Sequence, residues 1–170
     1  ELRASEERFS TMFHSSPNAI AVTRLSDNVL VDMNNAWENT TGWSKAEAIG
    51  KTALGLNLWT DPLERAHMQK QLAEHGALQG FEVQMRSRAG SLRSLLMSAE
   101  IITLQGEPCM LTMTQDITER KWAEKQLRES EELLSMMGHT AHVGGWDLDV
   151  ATGEGHWTEE VALIHDLDPA

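Results

Sequence analysis

Cysteine, tyrosine and proline are scarce in this 170-residue sequence, which has one cysteine, no tyrosine and four prolines. The single thiol, Cys109, cannot form an intrachain disulfide or a thiolate metal cluster, and it gives no sign of an oxidising compartment. No apolar run approaches the roughly 18 residues of a membrane span, and no secretory signal sequence is recognisable. These absences predict a cytoplasmic protein without direct membrane contact, and they favour a piece of a longer soluble region.

Positive charge is also in short supply. The sequence has 14 lysines and arginines against 26 acidic residues, which gives a formal net charge of -12. Nucleic acids and anionic lipid surfaces bind through an excess of Lys and Arg, so neither is an expected partner. Hydrophobic residues make up 41% and charged residues 24%, which is typical of a folded globular protein.

Motifs of catalysis are missing as well. The sequence has no G-x-S-x-G, no phosphate-binding glycine loop and no H-E-x-x-H, and G-G-W-D (144–147) resembles the loop of diguanylate cyclases only in part. Four of the seven histidines lie within the last 32 residues, but on different predicted elements, so we expect no metal site. This fragment is therefore not expected to be an enzyme.

The sequence contains an internal repeat. Residues 1–12 (E-L-R-A-S-E-E-R-F-S-T-M) recur at 126–137 as Q-L-R-E-S-E-E-L-L-S-M-M, with seven identities. A repeated unit determines architecture before any single motif does. We therefore expect one complete unit followed by the opening of a second.

Periodicity and cap residues predict the elements of the complete unit. Two short β-branched runs flank the turn residues S-D-N (26–28), which indicates a hairpin. Capping boxes at Ser44 and Asp61 indicate the starts of a short helix and a longer helix, and period-two alternation after the longer helix indicates antiparallel strands. The predicted elements are helices over 2–13, after 43, over 62–75 and from 117, and strands over 19–23, 29–33, 81–85, 92–104 and 109–115.

Three stretches of this unit resemble the PAS family. They are N-N-A-W through T-G-W (34–43), R-S-R-A-G (86–90) and D-I-T-E-R-K (116–121), and the last matches the family's exit motif almost letter for letter. Ala89 departs from the pattern, since aspartate is usual there. The resemblance covers about residues 5–125, and G-G-W-D-L-D-V (144–150) resembles the start of a further PAS domain.

The resemblance implies an α+β fold: a five-stranded antiparallel sheet with helices packed on one face, flanked by N-terminal and C-terminal linker helices. The implied organisation is a linker helix over 1–13, a PAS sensory domain over 14–118, a coiled-coil linker helix over 119–138 and the start of a second, incomplete PAS domain over 139–170. PAS domains serve as sensory and dimerising modules in bacterial signalling proteins.

In such a fold a pocket is expected between the concave face of the sheet and the helix over 62–75. Strand alternation predicts a methionine-rich lining whose only polar members are two threonines. A filled core is one interpretation, because little in this lining could orient a ligand, and a small apolar or planar ligand is the other. The predicted lining residues are Met68, Leu72, Phe81, Val83, Met85, Leu95, Met97, Ala99, Met110, Thr112 and Thr114.

Haem and flavin are the two cofactors that the family suggests. G-L-N-L-W (55–59) begins like the flavin motif of photosensors, but Leu58 stands where the adduct-forming cysteine is required, so only noncovalent flavin is left. Haem-binding members use a histidine of the helix over 62–75. His67 is present, but it is about 100° of helix rotation away from Met68 and should point off the pocket. We expect no cofactor and a colourless protein, with haem and noncovalent flavin as alternatives.

The resemblance assigns signal coupling to the exit motif and the helix that follows it. The relay residues are Asp116, Ile117, Thr118 and Trp122. Along that helix, a 4-3-4-3 spacing predicts the seam of a short coiled coil, although an amphipathic helix lying on its own sheet fits the same pattern. The seam residues are Ala123, Leu127, Ser130, Leu134 and Met137.

Two functional hypotheses follow. The first is a homodimeric sensory module that relays a signal through its C-terminal helix to an output domain of the same chain, so that the parent protein is a sensor histidine kinase, a diguanylate cyclase or a phosphodiesterase. The alternative is a redox or gas sensor built around haem or noncovalent flavin.

Overall fold

The structure is a computed structural model that describes residues 2–141, 145–157 and 159–165. The chain divides into two compact units, Glu1–Glu119 and Arg120–Ala170. This division lies one residue beyond 118, where the resemblance places the end of the sensory domain.

Over its described residues, the first unit consists of a helix, two strands, three helices and three strands. In chain order they are α1 (Leu2–Ser15), β1 (Ala19–Arg24), β2 (Leu30–Met33), α2 (Asn35–Thr41), α3 (Lys45–Ala48), α4 (Pro62–His75), β3 (Ala77–Arg86), β4 (Leu92–Leu104) and β5 (Glu107–Asp116). Helix α5 (Thr118–Ala141) begins at the end of this unit and continues into the second.

The five strands form one antiparallel sheet in the order β2-β1-β5-β4-β3. Strands β3, β4 and β5 follow one another as neighbours, and β5 returns along β1, where Thr112 pairs with Ala21. This non-local pairing joins the first hairpin to the last three strands. The predicted five-stranded antiparallel α+β fold is confirmed.

Helix boundaries follow from local cap chemistry. Ser44 and Glu47 form the predicted capping box of α3, in which the Ser44 N–H donates to the Glu47 carboxylate at 3.3 Å. At the start of α4, the Asp61 carboxylate accepts the Leu63 N–H at 2.7 Å. The box predicted there is incomplete, because Oε2 of Glu64 is buried without a hydrogen-bond partner.

Helix α2 is an addition to the predicted elements, and Asn34 starts it. The Asn34 Oδ1 accepts the main-chain N–H of Trp37 at 3.0 Å and that of Ile20 at 2.9 Å. Its Nδ2 donates to the carbonyls of Phe13 at 3.0 Å and Asn18 at 2.9 Å. Only 1% of Asn34 is exposed. One buried amide therefore holds the end of α1, the start of β1 and the start of α2 together.

Strand β3 contains a bulge that explains why it begins before the predicted residue 81. Leu78 pairs with Ala99 and Phe81 with Met97, so three steps on β3 match two on β4. Gly80, with φ 67°, takes the left-handed conformation that the extra residue requires. Strict alternation would place Leu78 on the outer face, whereas the bulge returns it to the core, where it is buried.

The second unit contains β6 (Trp146–Leu148), β7 (Gly155–Trp157) and α6 (Glu159–Ile164), besides the greater part of α5. The predicted hairpin and the predicted helix after it are both present, with Trp146 paired to Trp157. Residues 142–144, 158 and 166–170 of the predicted second domain lie outside the described residues. No described helix has both the length and the apolar character of a membrane span.

Candidate ligand cavity and exit motif

A cavity lies between the sheet and helix α4, within the first unit. The space open to the centres of water molecules is about 70 Å³. One water needs about 10–15 Å³ on this measure, so the cavity has room for about five to seven waters or for one small molecule. Side chains therefore do not completely fill the interior under α4.

The structure brings most of the predicted lining residues to this cavity. Those that line it are Met68, Met85, Leu95, Met97, Met110, Thr112 and Thr114. Those that do not are Leu72, Phe81, Val83 and Ala99, which belong to the packed hydrophobic cluster beside it. Alternation assigns a residue to a face of the sheet but not to a position along it, which is why the face was predicted correctly and the extent was not.

The lining is more polar than predicted. The expectation that Thr112 and Thr114 are its only polar members is wrong, because Asn28, Arg65 and Gln69 also line the cavity. Arg65 is three residues before Met68, so helical periodicity could have placed it on the same face of α4. Gln69 is one residue after Met68, about 100° of helix rotation away, so the rotation criterion that points His67 off the pocket would have excluded Gln69 as well. Asn28 belongs to the β1–β2 turn and has φ 59°. No local sequence pattern predicts that this turn lies at the cavity. The remaining polar lining residues are Thr23, Thr40 and Thr41.

The two predicted threonines are anchored to strand β1. The hydroxyl of Thr112 donates to the carbonyl of Ala21 at 3.2 Å, and that of Thr114 donates to the carbonyl of Ala19 at 3.4 Å. A hydroxyl that donates its proton to the backbone keeps oxygen lone pairs as acceptors. This wall of the cavity therefore offers a ligand acceptors rather than donors.

The residues considered for cofactors do not converge on the cavity as ligands. His67 is exposed, its ring lies edge-on to Phe81 with centroids 5.8 Å apart, and it does not line the cavity. It therefore does not fit as an axial haem ligand. Leu58 is buried and lines the cavity at the place of the flavin cysteine. Among the described residues, no group of three or more His, Cys, Asp or Glu side chains could hold a metal ion.

The exit motif is joined to strand β4 by hydrogen bonds. The Ile117 N–H donates to the Ser94 carbonyl at 2.9 Å, and the Ser94 N–H donates to the Thr118 hydroxyl at 3.0 Å. Next to them, the Arg93 guanidinium pairs with the Asp116 carboxylate at 2.6 Å. Ile117 is 3% exposed. The start of α5 is thus fixed to two consecutive residues of β4.

Asp116 also caps α5 directly. Its Oδ1 accepts the Thr118 N–H at 2.9 Å and the Thr118 hydroxyl at 2.5 Å. Burial raises the pKa of Asp116, but the hydrogen bonds from Thr118 and the contact with Arg93 outweigh this effect and hold the pKa below its usual value. The carboxylate is therefore ionised at neutral pH, the form that a helix N-terminus favours.

The predicted seam residues and Trp122 are placed along α5 with exposed side chains. Trp122 is 66% exposed and Leu134 is 66% exposed, and Ala123, Leu127, Ser130 and Met137 are exposed as well. Large apolar side chains of this stripe are therefore left in water in the single chain.

A family model for the PAS fold matches residues 7–117, which is well over half of the chain. The chain belongs to the PAS family. The matched part of this PAS domain contains the whole sheet, α4 with the cavity, and the first two residues of the exit motif.

Two curated relatives of the PAS domain are sensors. The methyl sulfide methyltransferase-associated sensor of Methanosarcina acetivorans is 28% identical over 154 residues, and the sensor histidine kinase TmoS of Ectopseudomonas mendocina is 27% identical over 149 residues. The alignments cover 89% and 84% of this chain but only 15% of each relative. The PAS domain is thus a sensory module that is homologous to a small part of larger sensor proteins.

Solved PAS structures have the same fold. A PAS domain from Colwellia psychrerythraea is 24% identical with a TM-score of 0.57, covering 68% of this chain and 98% of that one. An RNA-binding light-oxygen-voltage receptor is 21% identical with a TM-score of 0.65, covering 78% and 38%. The PAS domain of a LuxR-family regulator from Burkholderia thailandensis, in complex with ethanol, is 18% identical with a TM-score of 0.52, covering 64% and 96%. At these identities the likeness shows the fold alone.

Proposed function

We propose that this PAS domain relays a signal from its cavity, through the exit motif and α5, to an output domain of the same protein. The output domain is a histidine kinase or a cyclic-di-GMP enzyme, in the cytoplasm. The hydrogen-bonded joint between β4 and the start of α5 carries the proposal. The two sensor relatives, one of them a histidine kinase, support it.

The route from the cavity to the joint is short. Leu95 of β4 lines the cavity, and the residue before it, Ser94, bonds to both Ile117 and Thr118. Leu95 is also the register partner of Asp116. A ligand that displaces β4 at Leu95 therefore changes the bonds that hold the start of α5, without an intermediate loop.

The input is a small ligand in the cavity. The available volume suits a molecule of a few heavy atoms, and the similar PAS domain from Burkholderia thailandensis was solved in complex with a ligand of that size, ethanol. A ligand can shift the relay only if it binds one arrangement of the sheet better than the other. Contact with Leu95 and Met97, two neighbouring inward residues of β4, supplies such a difference.

The relay is tested by removing one hydroxyl from the joint. In the full-length protein, Thr118→Val deletes the acceptor of the Ser94 N–H with almost no change in volume, and we expect the basal output activity to change several-fold while the fold is kept. Thr103→Val, at the exposed end of the same strand, is the matched control and should leave the output unchanged. An output unaffected by Thr118→Val, measured as autophosphorylation or cyclic-di-GMP turnover, would contradict the relay.

The domain is also proposed to act as a homodimer through its linker helices, with the exposed seam of α5 as one contact. Leu127 and Leu134 are one heptad apart, and burying a leucine side chain contributes about 1.5–3 kcal/mol. The double change of both leucines to Asp should therefore raise the dimer dissociation constant at least tenfold in sedimentation experiments.

A charge-matched control separates the seam from a general effect of charge. Gln126→Asp with Ser135→Asp adds the same two negative charges outside the seam and should leave the dimer nearly intact. If the Leu127 and Leu134 double variant has an unchanged association state, the seam assignment is wrong and α1 becomes the alternative contact.

We propose that the second unit begins a further PAS domain at 139. Its hairpin and following helix come in the same order as β1, β2 and α2 of the first unit. The equivalent of the last three strands is not among the residues described. Expression of a longer chain tests this proposal: protection of amides 146–157 from hydrogen exchange should rise when the following residues are added.

A further inference from the structure

Four of the eight polar residues that line the cavity are gathered at one end of it. Gln69 of α4 donates through Nε2 to the Oδ1 of Asn28 in the β1–β2 turn at 3.2 Å. Arg65 stands one helical turn before Gln69 on the same face of α4, and Thr23 lies at the end of β1 that leads into the turn. All four residues line the cavity. The cavity therefore has a polar end where α4 meets the turn.

Arg65 brings a positive charge to this end without a compensating carboxylate. It is the only Lys, Arg or His side chain in the cavity lining, and its guanidinium makes no ion pair with any residue in the described part of the chain. The lining contains no acidic residue either. In a chain with a net charge of -12, an arginine that faces a cavity and not a carboxylate is unusual. Guanidinium groups hold carboxylates through paired hydrogen bonds, which makes this position suited to an anionic head group.

Thr23 contributes a hydroxyl to the polar end of the cavity. Thr23 is 8% exposed, lines the cavity and, within the described part of the chain, has a hydroxyl with no hydrogen-bond partner. Its oxygen is not among the fully buried side-chain atoms that lack a partner, so a water or a ligand can reach it and accept its proton. The nearby Thr112, in contrast, donates to the carbonyl of Ala21. A ligand atom or water at the polar end would satisfy the Thr23 hydroxyl.

The rest of the cavity is mainly apolar and limited in size. Away from the polar end its lining is made of methionines, leucines, alanines, the tryptophans Trp37 and Trp59, and four threonines. Three of these threonines, Thr41, Thr112 and Thr114, donate their hydroxyl protons to main-chain carbonyls. The whole cavity has a volume equivalent to about five to seven waters, so it admits a ligand of roughly the same number of heavy atoms. One cation at one end fits one negative charge, and so disfavours phosphates and dicarboxylates, which carry more.

We propose that the cavity binds a small monocarboxylate such as a short-chain fatty acid, with its carboxylate on Arg65 and Gln69 and its body among the methionines and tryptophans. This inference rests on the proposed function of the cavity as the ligand site and adds the chemistry of the ligand. Burying the apolar body provides affinity, and the contact with Arg65 makes the protein prefer the acid over a neutral molecule of the same shape.

The test compares acids with their alcohols on the complete 170-residue chain. Butyrate and pentanoate are titrated beside 1-butanol and 1-pentanol, with affinity measured by calorimetry and position by the methyl resonances of Met68 and Met97. We expect each acid to bind at least tenfold more tightly than its alcohol. Arg65→Met should reduce this preference to about twofold or less while leaving the affinity for the alcohols unchanged. Thr23→Val, which conserves volume, should weaken binding of the acids several-fold.

Lys70→Met is the matched control, because Lys70 is an exposed cation on α4 that does not line the cavity. It should keep the preference for the acids. If alcohols bind as tightly as acids to the unaltered chain, or if Arg65→Met keeps the preference, the carboxylate inference is overturned while the ligand cavity stands. If none of the four probes shifts the methionine resonances at millimolar concentration, the ligand cavity itself is overturned together with the inference.

Discussion

The hairpins β1–β2 and β6–β7 close in the same way, although they belong to different units. In the first, the Arg24 N–H donates to the Val29 carbonyl at 2.9 Å, and in the second, the Asp149 N–H donates to the Glu154 carbonyl at 2.8 Å. Each member of the second pair lies 125 residues after its counterpart, the same separation as the sequence repeat. The turn geometry is therefore repeated together with the sequence.

The backbone conformation of the two turns agrees as well. Asn28 and Gly153 lie at the same separation, and both are left-handed, with φ 59° and 76°. Asparagine and glycine are the residues that adopt this conformation at the lowest cost. Two different side chains thus meet the same local requirement.

The surroundings of the two hairpins differ. Strand β1 is buried along almost its whole length, because it lies inside the sheet, with β2 paired to one edge and β5 to the other. Trp146 is 75% exposed and Trp157 is 65% exposed, and within the described part of the chain the second sheet consists of β6 and β7 alone. Local sequence is enough to set a turn and a register, whereas burial depends on strands from a distant part of the chain. A two-stranded hairpin is marginal in water, so the second hairpin depends on further contacts for stability.

The largest effect should come from Asn34→Ala, which removes the side chain that ties the first hairpin to its surroundings. The change removes four hydrogen bonds, each contributing about 0.5–1.5 kcal/mol, and it takes away the acceptor of the buried Ile20 N–H. The Trp37 N–H keeps the Asn34 carbonyl as a second acceptor at 3.1 Å. We expect the free energy of unfolding of the first unit to fall by about 4 kcal/mol, measured by urea denaturation.

Asn35→Ala is the control for this substitution. Asn35 is the exposed neighbour at the first position of α2, so the same chemical change there should alter the unfolding free energy by less than about 0.5 kcal/mol. Equal decreases in unfolding free energy at the two positions would show that the hydrogen bonds of the Asn34 side chain do not determine the stability of the first hairpin.

The next effect contrasts leucines in the two hairpins. Leu30 of β2 is 3% exposed and Leu148 of β6 is 53% exposed. Leu30→Ala opens a cavity in the core and should cost about 2–5 kcal/mol, whereas Leu148→Ala should leave the unfolding of the first unit within about 0.5 kcal/mol. Differential scanning calorimetry of both variants decides the matter, and a comparable loss from Leu148→Ala would mean that the second hairpin is buried in solution.

The smallest effect concerns the charge pair of the first turn. The hydrogen bond from Arg24 is the main reason that the pKa of Asp27 lies below its usual value, with partial burial opposing it. A lowered pKa stabilises the fold above the unfolded-state value of about 3.9, and this contribution disappears as the pH falls through the folded-state pKa.

Asp27→Asn should therefore lower the thermal midpoint slightly at pH 7 and not at all in strong acid. Arg24→Gln should have an equal or slightly larger effect, because Arg24 also pairs with Glu107 at 3.6 Å, and adding Asp27→Asn to it should change little further. A difference from the unaltered protein that persists at the lowest pH would show that the ion pair is not its cause. The turn of the second hairpin carries Asp149 and Thr152 at the matching positions, without such a pair.

The local elements were accessible from the sequence, and the polar end of the cavity was not. Capping chemistry at Ser44 and the proline after Asp61 mark the helix starts, and alternation marks the inner face of β4 and β5. Asn28 reaches the cavity only because α4 folds back over the β1–β2 turn and Gln69 bonds to it. That contact joins residues 41 positions apart, so no window of the sequence contains it.

The seam of α5 shows the same boundary between local and non-local information. The spacing of Leu127 and Leu134 was visible in the sequence, and the structure leaves both exposed on a single chain. Their partner surface is a property of an assembly, which neither periodicity nor one folded chain specifies. The dimer therefore stays a prediction that the double variant tests.

The bulge of β3 contains one residue more than the paired segment of β4, so one residue can be removed there without changing the strand register. Deleting Gln79 or Gly80 would convert the three steps between Leu78 and Phe81 into two and match the two steps on β4, so both side chains would keep their inward direction. A deletion at Glu82 would not be tolerated in this way. It would shift the register of the residues on one side of the deletion by one, and their side chains would then point to the opposite face of the sheet. Length variation within β3 is therefore tolerated at one point of the strand, and a homologue that lacks a residue there can have the same core in a flatter sheet.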